Sequence, residues 1–125
     1  IELARCFEPL SDYFLTDTLI LEKSGSFFEH QPVKGFVGIT GRTCDWNVAA
    51  KLVLSSRIPV ILAGGITPDN VFGGILRVRP AGVDSCTGTN AVDSEGDSIR
   101  FKKDFDKVKR FVDEVRRAER AIGHS

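Results

Sequence analysis

Residues 59–71 of this 125-residue chain read Pro59-Val-Ile-Leu-Ala-Gly-Gly-Ile-Thr-Pro-Asp-Asn-Val71. The apolar, β-branched beginning predicts a buried parallel strand over Val60–Ala63. The Thr67-Pro68 pair predicts the start of a helix, with the threonine as N-cap and the proline as first residue. Between strand and helix, Gly64 and Gly65 offer backbone N–H groups beside a helix N-terminus, which favours phosphate binding. The alternative is a plain strand-to-helix turn in which the glycines only provide positive φ.

The same order of strand and helix occurs before and after this stretch. Such alternation predicts an α/β fold with a parallel sheet, right-handed crossovers and both sheet faces covered. An earlier helix is predicted to end within Ile1 to Phe7. The predicted strands are Asp12–Thr18, Val60–Ala63 and Gly82–Thr87, and the predicted helices are Trp46 to about Ser55 with Asp45 as N-cap, Pro68 to about Val78, and about Phe101 to Ile122.

The two later helices carry further signals. Gly73-Gly74 lies inside the helix predicted to begin at Pro68, where each glycine costs about 1 kcal/mol relative to alanine. This pair predicts close packing or a short helix, and Pro80 is predicted to end it. The last helix is predicted to bury one apolar stripe: Phe101, Phe105, Val108, Val112, Val115, Ala118 and Ile122.

Charge balance and cysteine content restrict the class of protein. The chain has 17 Lys and Arg against 17 Asp and Glu, so its zero net charge gives no reason to expect nucleic acid or an anionic membrane as partner. No apolar stretch is long enough to span a bilayer, and no signal peptide is evident. Three widely spaced cysteines predict reduced thiols in a cytoplasmic protein rather than a disulfide framework.

The two edges of the predicted sheet raise the question of whether the chain forms a complete domain. A three-stranded parallel sheet leaves each edge strand without a partner on one side. The chain also lacks methionine and begins within a predicted helix. We therefore expect either that it is the C-terminal part of a longer chain or that self-association completes its domain.

Four segments, in order along the chain, match motifs of one enzyme family. They are Phe14-Leu-Thr-Asp-Thr18, Gly38-Ile-Thr-Gly-Arg-Thr-Cys-Asp-Trp46, Ile61-Leu-Ala-Gly-Gly-Ile-Thr-Pro-Asp-Asn-Val71, and Val78-Arg-Pro-Ala-Gly-Val-Asp84 followed by Thr87-Gly88. From about Ser11 to Val115, the chain resembles the C-terminal half of phosphoribosylanthranilate isomerase. The resemblance implies that residues 1–125 form a C-terminal half-barrel, with the predicted strands as the sixth, seventh and eighth of a TIM (β/α)8 barrel.

The resemblance also implies an activity. That activity is the Amadori rearrangement of N-(5-phosphoribosyl)anthranilate in tryptophan biosynthesis, for which acid–base catalysis suffices without a metal or organic cofactor. The expected partner is a small phosphorylated substrate, together with a missing N-terminal half-barrel or a second copy of the chain.

By the same resemblance, Asp17 is the general acid that protonates the ribose ring oxygen. It follows a predicted barrel strand, where such folds carry their chemistry, and a partly buried setting beside Phe14 and Leu15 would suit an acid. The phosphate-binding residues implied by the family are Gly64, Gly65, Thr87 and Gly88. The alternatives are an aspartate that accepts backbone hydrogen bonds at a strand end and glycines needed only for tight turns.

Other candidates carry weaker signals. Gly41 and Arg42 fall in a candidate substrate loop, where an arginine is more often a solvated residue. Asp84 is interpreted as orienting a neighbouring loop or strand, and Cys86 as a small buried side chain. His30 and His124 are isolated from other ligand types, so the sequence offers no metal site: His30 lies in a loop and His124 in the C-terminal tail.

Departures from the family pattern keep other functions open. The family's cysteine base and the arginine that recognises the anthranilate carboxylate belong to the part of the barrel absent from this sequence. The loop from Leu19 to Val37 is longer than usual, and Thr87-Gly-Thr-Asn90 stands where the family has Ser-Gly-Val-Glu. The alternatives are a binding protein that keeps the phosphate site without catalysis and a half-barrel that acts by self-assembly.

Overall fold

A computed structural model of the protein describes residues 1–17 and 45–123. The interpretations of Gly41, Arg42 and the loop from Leu19 to Val37 fall outside the described residues. The helices are α1 (Glu2–Phe7), α2 (Trp46–Ser55), α3 (Val71–Val78) and α4 (Phe105–Gly123), the strands are β1 (Phe14–Leu15), β2 (Val60–Leu62), β3 (Gly82–Val83), β4 (Asn90–Val92) and β5 (Ser98–Lys103), and 3-10 turns occupy Glu8–Leu10 and Thr87–Thr89.

The three strand–helix units form a parallel sheet, as predicted. Its strand order is β1-β2-β3, with Phe14 beside Val60 and Leu62 beside Val83. The two edge strands are shorter than predicted, with two residues each. Since all three strands run in the same direction, the segments that follow them meet at one edge of the sheet, where folds of this type carry their ligand sites.

The first helix of these units begins where the sequence predicts. Asp45 caps α2 through its side-chain oxygen Oδ1, which accepts the N–H groups of Asn47 at 2.9 Å and Val48 at 3.3 Å. These two bonds satisfy donors that a helix N-terminus leaves without an intrahelical partner.

The start of α3 was predicted three residues too early. Thr67 and Pro68 open a turn, and the α-helix begins at Val71 with Asn70 as N-cap. The capping residues still form side-chain hydrogen bonds: the Thr67 hydroxyl accepts the N–H of Asp69, and the Asn70 side chain accepts the N–H of Thr67. Capping chemistry therefore stabilises the turn that precedes the helix.

The core lies between β2 and the helices α2, α3 and α4. It contains Ala49, Leu62, Ile66, Val71, Ile75, Val78 and Ala118. Leu62 and Val71 are completely buried at its centre. The predicted close packing at Gly73-Gly74 is confirmed at Gly74, where a methyl group would lie 3.2 Å from both Leu62 and the Trp46 ring.

Within residues 1–17 and 45–123, the helices pack on one face of the sheet, whereas the sequence predicted cover on both faces. Phe14, Leu62 and Val83 share the face that receives the helices. Leu15 points to the other face and is 57% exposed. The described residues therefore do not supply the second cover, since a continuous apolar run indicates burial on both sides without specifying which part of the molecule provides it.

The segment after β3 differs from its prediction. A polar loop was expected before a helix starting at Phe101, but β4 and β5 form an antiparallel hairpin in which Asn90 faces Lys103. Phe101 belongs to β5 with φ of 65°. The helix begins after Asp104, whose side chain accepts the N–H of Lys107 at 3.1 Å and so provides the N-cap.

The predicted apolar stripe of α4 is half correct. Val115, Ala118 and Ile122 pack on the core as predicted, and they are joined by Phe111. Phe101 lies outside the helix, and the other members of the stripe are exposed: Phe105, Val108 and Val112. The stripe therefore divides between a core-facing side and an outward side of the helix.

Charged side chains on α4 reinforce its docking on α3. The Arg117 guanidinium lies 3.5 Å from the centre of the Phe72 ring and also pairs with Glu114. The hydrogen bond from Arg117 lowers the pKa of Glu114 below its usual value.

None of the helices in residues 1–17 and 45–123 combines the length and apolar character required to cross a bilayer.

The two adjacent glycines of α3 provide a test of this packing. We expect Gly73→Ala to stabilise the fold by up to about 1 kcal/mol, because alanine favours a helix and the nearest atom to the new methyl group is 4.0 Å away. Gly74→Ala should lose that gain, because its methyl group presses on Trp46 and Leu62. Urea unfolding followed by fluorescence of Trp46, the single tryptophan, measures both. Equal stabilisation by the two substitutions would contradict the packing described.

Candidate functional site

A pocket of about 100 Å³ opens where the three parallel strands end. It is lined by Leu15, Asp17, Ala63, Gly64, Gly65, Ile66, Asp84, Cys86, Thr87 and Gly88. Every described residue that the sequence analysis assigned to catalysis or phosphate binding lies on this lining; Gly41 and Arg42 lie outside the described residues. Ligand pockets for whole small molecules commonly have about 300–1,000 Å³, so this one has room for a small chemical group and not for a whole substrate.

The Gly-Gly turn, residues 64–66, forms the floor of the pocket after β2. Gly64 has φ of 95° and Gly65 has φ of 66°, in the left-handed region that glycine adopts without strain. The interpretation of these residues as a turn that needs positive φ is therefore confirmed, and it is compatible with a binding role. Asn70 holds the turn by donating from its side-chain amide to the Gly65 carbonyl at 2.9 Å.

Thr16 connects the end of β1 to the end of β2. Its hydroxyl accepts the N–H of Ala63 at 3.0 Å and donates to the Ala63 carbonyl at 3.1 Å. This reciprocal pair fixes the residue before Asp17 against the residue before Gly64. As a result, the aspartate and the Gly-Gly turn face the same pocket.

The Thr87 turn, residues 87–89, packs directly on the Gly-Gly turn. A methyl group on Gly88 would lie 2.5 Å from the carbonyl oxygen of Ile66 and 3.0 Å from the Cα of Thr67. The Ser85 hydroxyl donates to the same Ile66 carbonyl at 2.6 Å. Gly88 is therefore required by close backbone approach, which is a structural reason independent of any ligand.

Backbone N–H groups supply the donors of this pocket. Among the described residues, the N–H groups of Gly64, Gly65 and Gly88 have no protein acceptor. The Thr87 turn is closed by the N–H groups of Thr89 and Asn90. The helix N-terminus contributes less than predicted. It lies at Val71, and the N–H groups of Asn70 and Val71 already donate to Thr67.

The charged side chains on the lining are both carboxylates. Asp17 and Asp84 are exposed, so the partly buried setting predicted for Asp17 is not found in the described residues. Cys86, predicted to be buried, is also exposed, because β3 ends at Val83 and the thiol belongs to the turn that follows. Within the described residues, the lining therefore carries no cationic side chain.

Sequence reasoning missed the polar side chains that support the pocket. Thr16, Asn70 and Ser85 each bond to the backbone of the Gly-Gly turn or its immediate neighbours. Thr16 and Asn70 lay within the quoted motifs. Short polar residues are common at strand ends and helix starts, so the sequence could not distinguish a residue that supports the pocket from an ordinary turn residue. Within residues 1–17 and 45–123, no three His, Cys, Asp or Glu side chains lie close enough to hold a metal ion.

Comparison with known proteins points to one family. A family model described as N-(5'phosphoribosyl)anthranilate (PRA) isomerase matches residues 12–114. A protein of that name from Methanocella arvoryzae is 37% identical over 93% of this chain and 45% of its own length. One from Haloferax volcanii is 38% identical over 95% of this chain and 45% of its own length.

A solved structure shares the fold. The crystal structure of phosphoribosyl anthranilate isomerase from Thermotoga maritima superposes with a TM-score of 0.59 at 27% identity, over 92% of this chain and 45% of that one. The chain thus spans about half the length of the relatives that it matches.

Gly88 provides a test of the contact between the two turns. We expect Gly88→Ala to destabilise the fold by about 1–3 kcal/mol, because the new methyl group meets backbone atoms that cannot rotate away. Gly82→Ala is the matched control, since the nearest atom to its methyl group is 3.8 Å away. Thermal unfolding of both variants decides the matter, and similar losses of stability would argue against a constraint specific to Gly88.

Proposed function

The chain belongs to the N-(5'-phosphoribosyl)anthranilate isomerase family, and from this we propose that it forms part of an isomerase acting on a phosphorylated sugar. The specific reaction proposed is the Amadori rearrangement of N-(5-phosphoribosyl)anthranilate in tryptophan biosynthesis. One observation carries the proposal: a single pocket joins Asp17 to the Gly-Gly turn and the Thr87 turn.

The phosphate of the substrate is proposed to bind between the two turns. Within the described residues, no acceptor is found for the backbone N–H groups of Gly64, Gly65 and Gly88, and such groups bind phosphate oxygens well when several converge. The Thr87 hydroxyl is proposed as a further contact. A phosphate held at this edge of the sheet agrees with the general position of phosphate sites after strands seven and eight of (β/α)8 barrels.

Asp17 is proposed as the general acid. Anchored by the Thr16–Ala63 pair, it lies on the same lining as the glycine turns. A phosphate fixed in those turns would orient the ribose so that its ring oxygen reaches the carboxyl group. Protonation of that oxygen opens the ring to a protonated Schiff base. Loss of a proton from C2 to a base then gives an enolamine, which tautomerises to the aminoketose. The base is proposed to come from outside this chain.

We also propose that residues 1–125 are the C-terminal half of a (β/α)8 barrel. Strands β1 and β3 each have a free edge within the described sheet, and Leu15 is exposed on the face opposite the helices. A groove of about 400 Å³ beside β1 is lined by apolar residues of α1, β1 and α2, among them Leu3, Phe7 and Val48. Further strands and helices would cover these surfaces, and a second copy of the chain is the alternative.

The chain is further proposed to be cytoplasmic. Cys6 and Cys86 are free and exposed thiols, which is typical of a reducing compartment.

Calorimetric titration of the purified chain tests the phosphate site. The ligand is a non-reactive, phosphate-bearing analogue of the rearranged product, with inorganic phosphate for comparison. We expect saturable binding that Gly65→Val weakens about tenfold or more, because the side chain displaces the turn and covers its N–H donors. Gly96→Val imposes the same backbone strain at the hairpin tip, where φ is 85°, and should leave the affinity unchanged. Equal affinities for the Gly65 variant and the unmodified chain would remove the Gly-Gly turn from the site.

Turnover tests the role of Asp17. The isolated chain is expected to be inactive because it lacks the proposed base. In the complete barrel, Asp17→Asn should lower kcat by about 10²–10⁴-fold, the usual contribution of a general acid, while ligand affinity changes only a few-fold. Asp12→Asn, which alters an exposed aspartate before β1, is the control. Binding without turnover in the unmodified barrel would favour the alternative of a binding protein that lost the chemistry.

A further inference from the structure

Lys103 of β5 makes an unusually complete set of hydrogen bonds beside the proposed phosphate site. Its ammonium nitrogen Nζ donates to the Cys86 carbonyl at 2.6 Å, the Asn90 side-chain oxygen at 2.8 Å and the Thr89 hydroxyl at 3.0 Å. A lysine ammonium has three N–H donors, so all of them are used. The three acceptors belong to the residues immediately before, at the end of and immediately after the Thr87 turn.

The acceptors of Lys103 are themselves fixed. Thr89 and Asn90 are each 4% exposed. The Asn90 amide nitrogen donates to the Ser98 hydroxyl at 3.1 Å, which directs its oxygen toward Lys103 across the hairpin. Lys107 donates to the Asn90 carbonyl at 2.9 Å. The hairpin and the first turn of α4 thus hold the exit of the Thr87 turn in one arrangement.

This arrangement bears on the donor at the centre of the turn. The Cys86 carbonyl also accepts the N–H of Thr89 at 3.4 Å and its hydroxyl at 3.2 Å, so it is the point at which the turn closes. Lys103 adds a charge-assisted bond to that oxygen and keeps it occupied. Gly88, two residues after this carbonyl, lies on the lining of the pocket, so a bond that fixes the carbonyl also fixes the backbone that leads to Gly88.

Lys103 also places a positive charge next to the pocket. Among the described residues, the lining contains two acidic side chains, Asp17 and Asp84, and no lysine or arginine. The ammonium donates to the carbonyl of Cys86, a residue of the pocket lining that directly precedes the Thr87 turn. Positive charge at that position strengthens the attraction between the turn and an anion.

We infer that Lys103 is a positioning residue for phosphate: it holds the Thr87 turn so that Gly88 donates to the anion, and it supplies positive charge that the described residues of the lining lack. This inference rests on the proposed phosphate site. A purely structural clasp of the hairpin is the opposing interpretation, and it predicts a loss of stability without a ligand-specific effect.

Titration of the ¹⁵N-labelled chain with inorganic phosphate at constant ionic strength distinguishes these interpretations. In the unmodified chain, the amide resonances of Gly64, Gly65 and Gly88 are expected to shift together and saturate. In Lys103→Met, the Kd should rise about tenfold, as expected for loss of a charge-assisted interaction. The Gly88 resonance should then respond weakly while those of Gly64 and Gly65 still shift. Lys102→Met, which removes the same charge from the neighbouring position of β5, should change the Kd less than twofold.

Three outcomes would overturn the inference. A Lys103→Met chain with lower thermal stability but unchanged phosphate affinity and an unchanged Gly88 response would establish a structural clasp only. Equal weakening by Lys102→Met would assign the effect to net charge. If no glycine amide of the unmodified chain responds to phosphate, the proposed phosphate site itself fails, and the role of Lys103 fails with it.

A measurement on the unmodified chain covers the case in which Lys103→Met does not fold. The side-chain ¹⁵Nζ resonance of Lys103 should shift during the phosphate titration with the same midpoint as the Gly88 amide, while that of Lys102 should not. An Nζ resonance of Lys103 that stays in place at phosphate saturation would overturn the inference.

Discussion

The pocket depends on the close approach of Gly88 to the carbonyl of Ile66. A β-carbon at residue 88 would lie 2.5 Å from that oxygen, a distance that packed structures do not tolerate. This contact brings the turn after β3 against the turn after β2. The Ser85 hydroxyl adds a hydrogen bond to the same carbonyl, and Thr16 joins the end of β1 to Ala63. Three loops are thereby held together by backbone groups and small side chains.

Long-range order at this edge comes from the sheet beneath. Leu62 pairs with Val83 and packs into the core formed by the helices, so the starting points of both turns are rigid. The Trp46 ring of α2 packs against Gly74 of α3. Arg117 of α4 stacks on Phe72 of the same helix, α3. The turns after β2 and β3 leave neighbouring strands of this anchored sheet, which explains how their backbone groups come together at one edge.

The sequence predicted the parallel sheet, the cap at Asp45 and the convergence of Asp17 with Gly64 and Gly88, because these features follow from local patterns and from the direction of parallel strands. It did not predict the β4–β5 hairpin. Asp93 and Gly96 form its turn through bonds that a run of polar residues does not distinguish from an irregular loop. Periodicity also placed Phe101 on a helix, since spacing alone cannot register the stronger capping signal of Asp104.

Sequence patterns also could not predict the surroundings of the candidate site. The exposure of Asp17 and the grip of Lys103 on Asn90 depend on which distant segments meet, and the hairpin that brings Lys103 to Asn90 was not foreseen. Exposure of Leu15 has the same origin, because an apolar strand indicates that a cover is required and not where it comes from.

The glycine donors have a genetic consequence. In the proposed phosphate site, Gly64, Gly65 and Gly88 bind through backbone groups that every amino acid except proline possesses, so nothing about this proposed chemistry is encoded by a side chain. What the gene must preserve at these codons is the absence of a β-carbon, and every missense change there introduces one. The aspartates and threonines nearby can exchange for residues of similar chemistry during drift. The glycine codons have no such neighbours in sequence space, so a lineage that alters one has no conservative intermediate through which to pass.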